Sequence, residues 1–313
     1  MTSALPESAA QAAVAPLVSM LEAQVDAVQI ESFLKVLDTH GEAWGYQPSY
    51  ALARTLINGI IKNLFGVNPI LGLEHAQTAL THAQAGGRVV MLGNHLSYGD
   101  ANYLHSQLEL QGLKNFPLLV MAGPKVYQDP FRRLSSMCFE TLKMAQPPSK
   151  ASGGAEVSMR DLAEITHRVI EDAENYQAQG RILYFFPEGS RSRSGDLNRF
   201  IAASARYCNQ AGTLVFPIGF SGTQGLIGVA GGRISLGQAQ ASIGPALSID
   251  ALQVQLVGNA SEQRKLWMDV LGYAVAAQLP AELRGVYGDK SEIAEELSSA
   301  RQIFKNHQGS SAT

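Results

Sequence analysis

The chain has 313 residues, of which 46% are hydrophobic and 16% charged. That apolar share excludes an intrinsically disordered chain, and at about 150 residues per domain the length allows one large domain or two unequal ones. With 24 Lys and Arg against 27 Asp and Glu, the formal charge of −3 excludes a global basic field for nucleic acid.

Cys138 and Cys208 form no disulfide framework and no metal spacing, and their apolar neighbours predict buried thiols. The first residues carry Glu7 and no Lys or Arg before Lys35, which predicts no signal peptide. The first arginine, Arg54, comes late for a transit peptide. No run of about 18 apolar residues predicts a membrane span. The expected location is the cytoplasm, with peripheral contact at the inner membrane surface as an option.

In chain order, residues 1–85 read as helix without strands. Leu17, Leu21, Val25 and Val28 recur at helical spacing, as do Ile30, Phe33, Leu34 and Leu37. Pro48 opens a third helix through Leu52, Leu56, Ile60 and Leu64, and Leu73 to Ala85 reads as a fourth. Residues 1–85 are therefore predicted to form a small helical bundle preceding an α/β domain over 86–313.

At residue 88 the pattern changes. Arg88 to Leu92, Pro117 to Met121, Arg181 to Phe186 and Leu214 to Gly219 read as strands, with a hairpin over Arg233 to Leu236 and Ala239 to Ile243. Helices are predicted from about Asp100 to Gln111, Pro130 to Met144, Ser158 to Tyr176, Arg199 to Ala211, Ser261 to Leu279 and Ser291 to Phe304. Ser158 with Asp161 is an N-cap signature. This alternation predicts a mixed sheet flanked by helices, with ligands bound beyond the carboxyl ends of the strands.

The first such end reads Gly93-Asn94-His95-Leu96-Ser97-Tyr98-Gly99-Asp100. A tight loop can bring the Asp100 carboxylate back onto the His95 imidazole. Such a pair fixes the tautomer and leaves the other nitrogen to take a proton from a hydroxyl. The plain alternative is a helix-capping aspartate beside an ordinary histidine. A later end reads Pro187-Glu188-Gly189-Ser190-Arg191-Ser192-Arg193, where two arginines on a small-residue loop suit an anion. Its alternative is a solvated basic loop. Gly123-Pro124-Lys125 follows the second strand, and Lys125 can add charge at that edge. No nucleophile elbow, phosphate-binding glycine loop or metal cluster is found. The Gly-rich stretch Gly225 to Gly232 lacks the Lys-Ser/Thr that a phosphate loop needs.

Taken in order, Asn94-His95 with Asp100, Gly123-Pro124-Lys125, Phe186-Pro187-Glu188-Gly189-Ser190-Arg191 and Phe216-Pro217-Ile218 resemble the four blocks of the glycerolipid acyltransferases. The resemblance spans about residues 93–219 and is closest in the first and third blocks. It implies a direct transfer from an acyl thioester, with His95 as general base held by Asp100 and no acyl-enzyme. It places Asn94, Gly123, Lys125, Glu188, Gly189, Arg191 and Arg193 in substrate binding. Since like charges repel, Glu188 is expected to position its loop rather than touch an anion.

The helical N-terminus and Arg193 are similar to the soluble plastid-type glycerol-3-phosphate acyltransferases, whose third block usually lacks the Phe-Pro-Glu form. Glycerol 3-phosphate is the expected acceptor, lysophosphatidate the second, and a non-phosphorylated lyso-lipid or natural-product alcohol the third. A reading of another class is a non-catalytic lipid- or phosphate-binding relative. No bound cofactor is implied. The donor is acyl-CoA or acyl carrier protein, and Lys125, Arg132, Arg133, Lys143 and Lys150 are candidates to steer an acidic carrier. The stretch Ala51 to Val67 could lie on a bilayer through Leu52, Leu56, Ile60 and Leu64, or pack inward.

Overall fold

A computed structural model describes residues 26–146, 157–224, 226, 238–253, 255–289 and 291–310. The elements run, in order, α1 (Ala27–Thr39), β1 (Gly45–Gln47), α2 (Ala51–Phe65), α3 (Leu73–Gln84), β2 (Arg88–Gly93), α4 (Asp100–Leu110), β3 (Leu118–Ala122), α5 (Lys125–Gln128), α6 (Pro130–Ser136) and β4 (Glu140–Lys143). Then follow α7 (Met159–Ala178), β5 (Ile182–Phe185), a 3-10 helix (Ala202–Tyr207), β6 (Thr213–Ser221), β7 (Gln240–Ile243), β8 (Leu247–Ser248), α8 (Ile249–Gln253), α9 (Ala260–Ala276), two short 3-10 turns and α10 (Ser298–Ser310). The chain divides into two compact units, Met1–Gly66 with Leu118–Ala173, and Val67–Pro117 with Glu174–Thr313.

In the first unit β3 and β4 pair in parallel, and β1 adds to β4 antiparallel with Gly45 opposite Lys143. The expectation of helix without strands before residue 85 is corrected here: Gly45 to Gln47 is a strand. The expected helix Pro130 to Met144 stops at Ser136, and the chain then turns into β4. Leu134, Met137, Cys138 and Leu142 are all buried, so an apolar spacing that reads as one long helix serves two elements. Asp129 caps α6 by accepting from the Arg132 amide at 2.9 Å, with Pro130 in the first turn. Ser158 does the same for α7 through the Asp161 amide at 3.1 Å.

Helix α2 buries Ala53, Leu56, Ile57 and Ile61, one helical stripe. The stripe is rotated from the one proposed to lie on a bilayer, and Leu56, the residue common to both, is buried. Leu52, Ile60 and Leu64 are half-buried, so α2 packs through the neighbouring stripe and shares only Leu56 with the proposed face.

In the second unit β2 lies between β5 and β6, parallel to both, while β7 and β8 add to β6 antiparallel. Val89, Val90, Met91 and Leu92 are fully buried, as a parallel strand covered on both faces requires. Helix α3 packs on β2 and α9 on β6. Gly72 precedes α3 with φ +72°, and a Cβ there would stand 2.1 Å from the Ile243 carbonyl oxygen, so only glycine fits. Both units therefore carry a mixed sheet with helices, the α/β class expected. The segment read as helix from Arg199 to Ala211 is the shorter 3-10 helix. The cysteines are buried as expected. The helix read over Leu17 to Val28, the glycine stretch from Gly225 and the strand Arg233 to Leu236 fall largely or wholly outside the described residues.

Candidate active site

The site is built in the second unit, where β2 and β5 end side by side. Asn94 follows β2 directly and is 1% exposed. Its Nδ2 donates to the Phe220 carbonyl at 2.9 Å, and its Oδ1 accepts from the Phe220 amide at 2.7 Å. The side-chain amide thus stands in for a ladder partner at the edge of β6. Both of its polar ends are engaged by Phe220, so it anchors the loop. Asn94 was expected among the substrate-binding residues.

His95 is the next residue. Its Nδ1 lies 3.0 Å from Asp100 Oδ2, at the start of α4. The same oxygen accepts from the Leu96 and Ser97 amides at 2.8 and 2.9 Å, while Oδ1 accepts from Ser97 Oγ at 3.1 Å and Thr223 Oγ1 at 2.6 Å. Asp100 is fully buried, and these five donors are what make burying a carboxylate tolerable. A carboxylate accepts only, so the shared proton belongs to Nδ1 and the Nε2 lone pair is left available. Nε2 has no hydrogen-bond partner among the described residues. The imidazole stacks on Phe186, with centroids 3.9 Å apart and planes 14° apart, and meets Tyr98 edge-on at 6.4 Å.

The loop after β5 grips the backbone of His95 from both sides. Glu188 Oε1 accepts from the His95 amide at 2.7 Å, and the His95 carbonyl accepts from the Ser192 amide at 2.8 Å. Glu188 Oε2 accepts from Asn198 twice, from the amide at 2.9 Å and from Nδ2 at 2.8 Å. Glu188 is 6% exposed. Burial pushes its carboxyl up to about 7, against the opposing pull of the Asn198 and His95 donors. Gly189 makes the turn with φ +69°, and a Cβ there would meet Ile201.

Arg191 lies over the face of Tyr98, its Cζ 4.0 Å from the ring centroid. Arg193 is exposed two residues on. Neither arginine is ion-paired among the described residues. Asn94, His95, Asp100, Glu188, Gly189, Arg191 and Arg193 therefore fall in one neighbourhood of the second unit.

Gly123 and Lys125 belong to the first unit, at the end of β3 and the start of α5. Of the cations read there as a steering patch, Arg133 donates to the carbonyls of Tyr127, Leu37 and Asp38. Lys143 donates to the Gly41 carbonyl and lies 4.3 Å over the Trp44 ring, and burial lowers its pKa. These two are engaged by their own chain; Lys150 is outside the described residues.

Reading the sequence alone misses Ser97, Thr223, Asn198, Tyr98 and Phe186. Ser97, Tyr98 and Phe186 sit inside the first and third blocks. Asn198 and Thr223 carry no local signal. Among the described residues no group of three His, Cys, Asp or Glu is placed to hold a metal ion, and no helix is long and apolar enough to cross a membrane.

A family model described as "Acyltransferase" matches residues 73–221, a segment that includes every site residue singled out from the sequence. No curated protein matches the chain. Among solved structures the chain is similar to that of the 1-acyl-sn-glycerophosphate (LPA) acyltransferase PlsC from Thermotoga maritima. The identity is 16%, the coverage 71% of this chain and 81% of that chain, and the TM-score 0.41.

Proposed function

We infer that this chain, whose residues 73–221 match the acyltransferase family model, moves a fatty acyl group from an acyl thioester to a hydroxyl of glycerol 3-phosphate. The observation that carries this reading is the His95–Asp100 pair, with Nδ1 held at 3.0 Å and Nε2 unpartnered among the described residues, beside two arginines that are not ion-paired.

In this reading Nε2 takes the proton of the acceptor hydroxyl as its oxygen attacks the thioester carbonyl. The tetrahedral intermediate collapses and the carbon–sulfur bond breaks. The departing thiolate then takes the proton from the imidazolium, giving an ester and a free thiol. Asp100 holds the ring and stabilises the imidazolium. Arg191 and Arg193 receive the acceptor phosphate. By resemblance Gly123 and Lys125 are also assigned to substrate binding. The donor is acyl-CoA or acyl carrier protein, and no resident cofactor takes part. Because the product is a lipid, we place the enzyme in the cytoplasm with peripheral contact at the inner membrane surface.

Lysophosphatidate is the second reading. A specific feature favours it: Ile201, 46% exposed, lies against Gly189 on the arginine loop and offers apolar surface to a chain already on the acceptor.

The test is thiol release from palmitoyl-CoA with glycerol 3-phosphate or lysophosphatidate, run beside His95→Ala. Acceptor-dependent release that is lost in the variant supports the transferase and selects the acceptor. Phosphate-ligand binding that survives His95→Ala, with no release by the wild type from palmitoyl-CoA or a palmitoyl carrier protein with either acceptor, supports the non-catalytic binder instead.

A further inference from the structure

We propose that Tyr98 is a positioning residue that pre-sets Arg191 for a phosphate-bearing ligand, and so tunes the preference for phosphorylated acceptors. The proposal rests on the reading of Arg191 as a phosphate contact. Arg191 sits on a loop with positive-φ glycines on either side, Gly189 at +69° and Gly195 at +91°. A long side chain there would lose rotamer freedom on gripping an anion. Stacking on Tyr98 removes part of that freedom in advance.

The type of partner matters as much as the contact. A carboxylate would hold Arg191 equally well but would neutralise it and compete with the phosphate. An aromatic face holds the guanidinium through its quadrupole without neutralising its charge. Arg191 has that aromatic partner at 4.0 Å and no ion pair among the described residues.

The clamp is also fixed relative to the base. Tyr98 meets the His95 ring at 83°, and Ser192, next to Arg191, donates to the His95 carbonyl at 2.8 Å. Phosphate and reacting hydroxyl are then held to one local frame, which is what proximity catalysis needs. Arg193, for which no ring partner is found among the described residues, is the internal comparison.

The experiment measures binding of inorganic phosphate and of glycerol 3-phosphate by calorimetry, with KM and kcat for glycerol 3-phosphate and lysophosphatidate, in the full chain. Tyr98→Leu is expected to weaken phosphate about three- to tenfold and to raise KM more than it lowers kcat, while Tyr98→Phe keeps the ring and restores wild-type values. In an Arg191→Ala background Tyr98→Leu should add nothing further. A rise confined to lysophosphatidate would place the effect on the acyl chain and overturn the clamp.

Phosphate affinity unchanged in Tyr98→Leu, a Tyr98→Phe variant as weak as Tyr98→Leu, or no phosphate binding by the wild type each overturns the proposal as well. If the phosphate pattern holds while no acyl transfer is found, the clamp stands and the transferase reading falls.

Discussion

Thr223 Oγ1 donates to Asp100 Oδ1 at 2.6 Å across 123 residues of sequence, with both side chains fully buried. The bond closes the ring of donors around the carboxylate that orients His95. Thr223→Val keeps the shape and removes the donor. A hydrogen bond to a charged acceptor contributes about 1.5–3 kcal/mol, so the variant is expected to unfold at lower denaturant by that amount. If half of that energy orients Asp100, turnover falls about four- to twelvefold. Thr223→Ser should recover both; a Ser variant no better than Val would remove the hydroxyl from the account.

The dyad itself gives a graded series. His95→Ala should cost about 10²–10⁴ in turnover. Asp100→Asn should cost less, for a geometric reason. An amide oxygen at the Oδ2 position still accepts from Nδ1 and the Leu96 and Ser97 amides. The NH₂ at the Oδ1 position can donate to Ser97 and Thr223, whose hydroxyls can turn to accept. What is lost is the negative charge that stabilises the imidazolium. The double variant should be far from additive. Single-turnover kinetics of the four proteins decide this, and additive losses would mean the two residues do not act together.

Glu188 makes stability depend on pH in an unusual direction for a carboxylate. Its folded-state pKa is raised by burial to about 7 from 4.5. The folded protein therefore holds a proton that the unfolded chain releases between those values. The contribution is fully present below about pH 4.5 and is lost as pH rises through about 7, on the order of a few kcal/mol. Denaturation midpoints at pH 5 and pH 8 should differ more in the wild type than in Glu188→Gln. Equal pH slopes in the two proteins would show that Glu188 does not carry the effect.

How much of this could be read beforehand follows from where the determinants lie. The ends of β2 and β5 were legible because Arg88 to Leu92 and Arg181 to Phe186 are β-branched or aromatic runs that stop at polar, glycine-bearing loops. His95, Asp100 and Arg191 sit on those loops, so local pattern and ligand-edge topology sufficed to single them out. Strand β1 is three residues long, and β4 continues the apolar spacing of α6, so neither leaves a period to detect. Asn94 read as a binding residue because its partner, the Phe220 backbone, is supplied only by the pairing of β2 with β6. Thr223 is hidden for the same reason: the contact is made by strand register, not by sequence distance. Arg133 read as surface charge because the carbonyls it caps belong to α1, almost a hundred residues earlier.

Asn94 separates anchoring from binding. Asn94→Ala would leave the Phe220 amide and carbonyl without their side-chain partner in a buried place, at about 2–4 kcal/mol for the two groups. Because both polar ends of the amide are engaged by Phe220, KM for acceptor and donor should stay near wild type while kcat falls with the displaced loop. A KM rise for the acceptor with unchanged stability would return Asn94 to the binding residues.

Tyr184 tests the packing beneath the base. Its ring meets Phe186 edge-on at 5.0 Å, and Phe186 in turn stacks on His95. Its hydroxyl is buried without a hydrogen-bond partner among the described residues. Burial, and then the nearby Asp100 charge, hold its pKa well above the ordinary range, so the group stays neutral. A buried hydroxyl that donates to nothing costs more in desolvation than it returns, and removing it while keeping the ring should stabilise the fold by about 1–2 kcal/mol. Tyr184→Phe should therefore raise the melting temperature and leave the Phe186 stack in place. A lower melting temperature would mean that the hydroxyl is bonded in solution, most simply through a buried water between it and a neighbouring polar group. The support under His95 would then be polar, and loss of turnover in the same variant would tie that bond to the base.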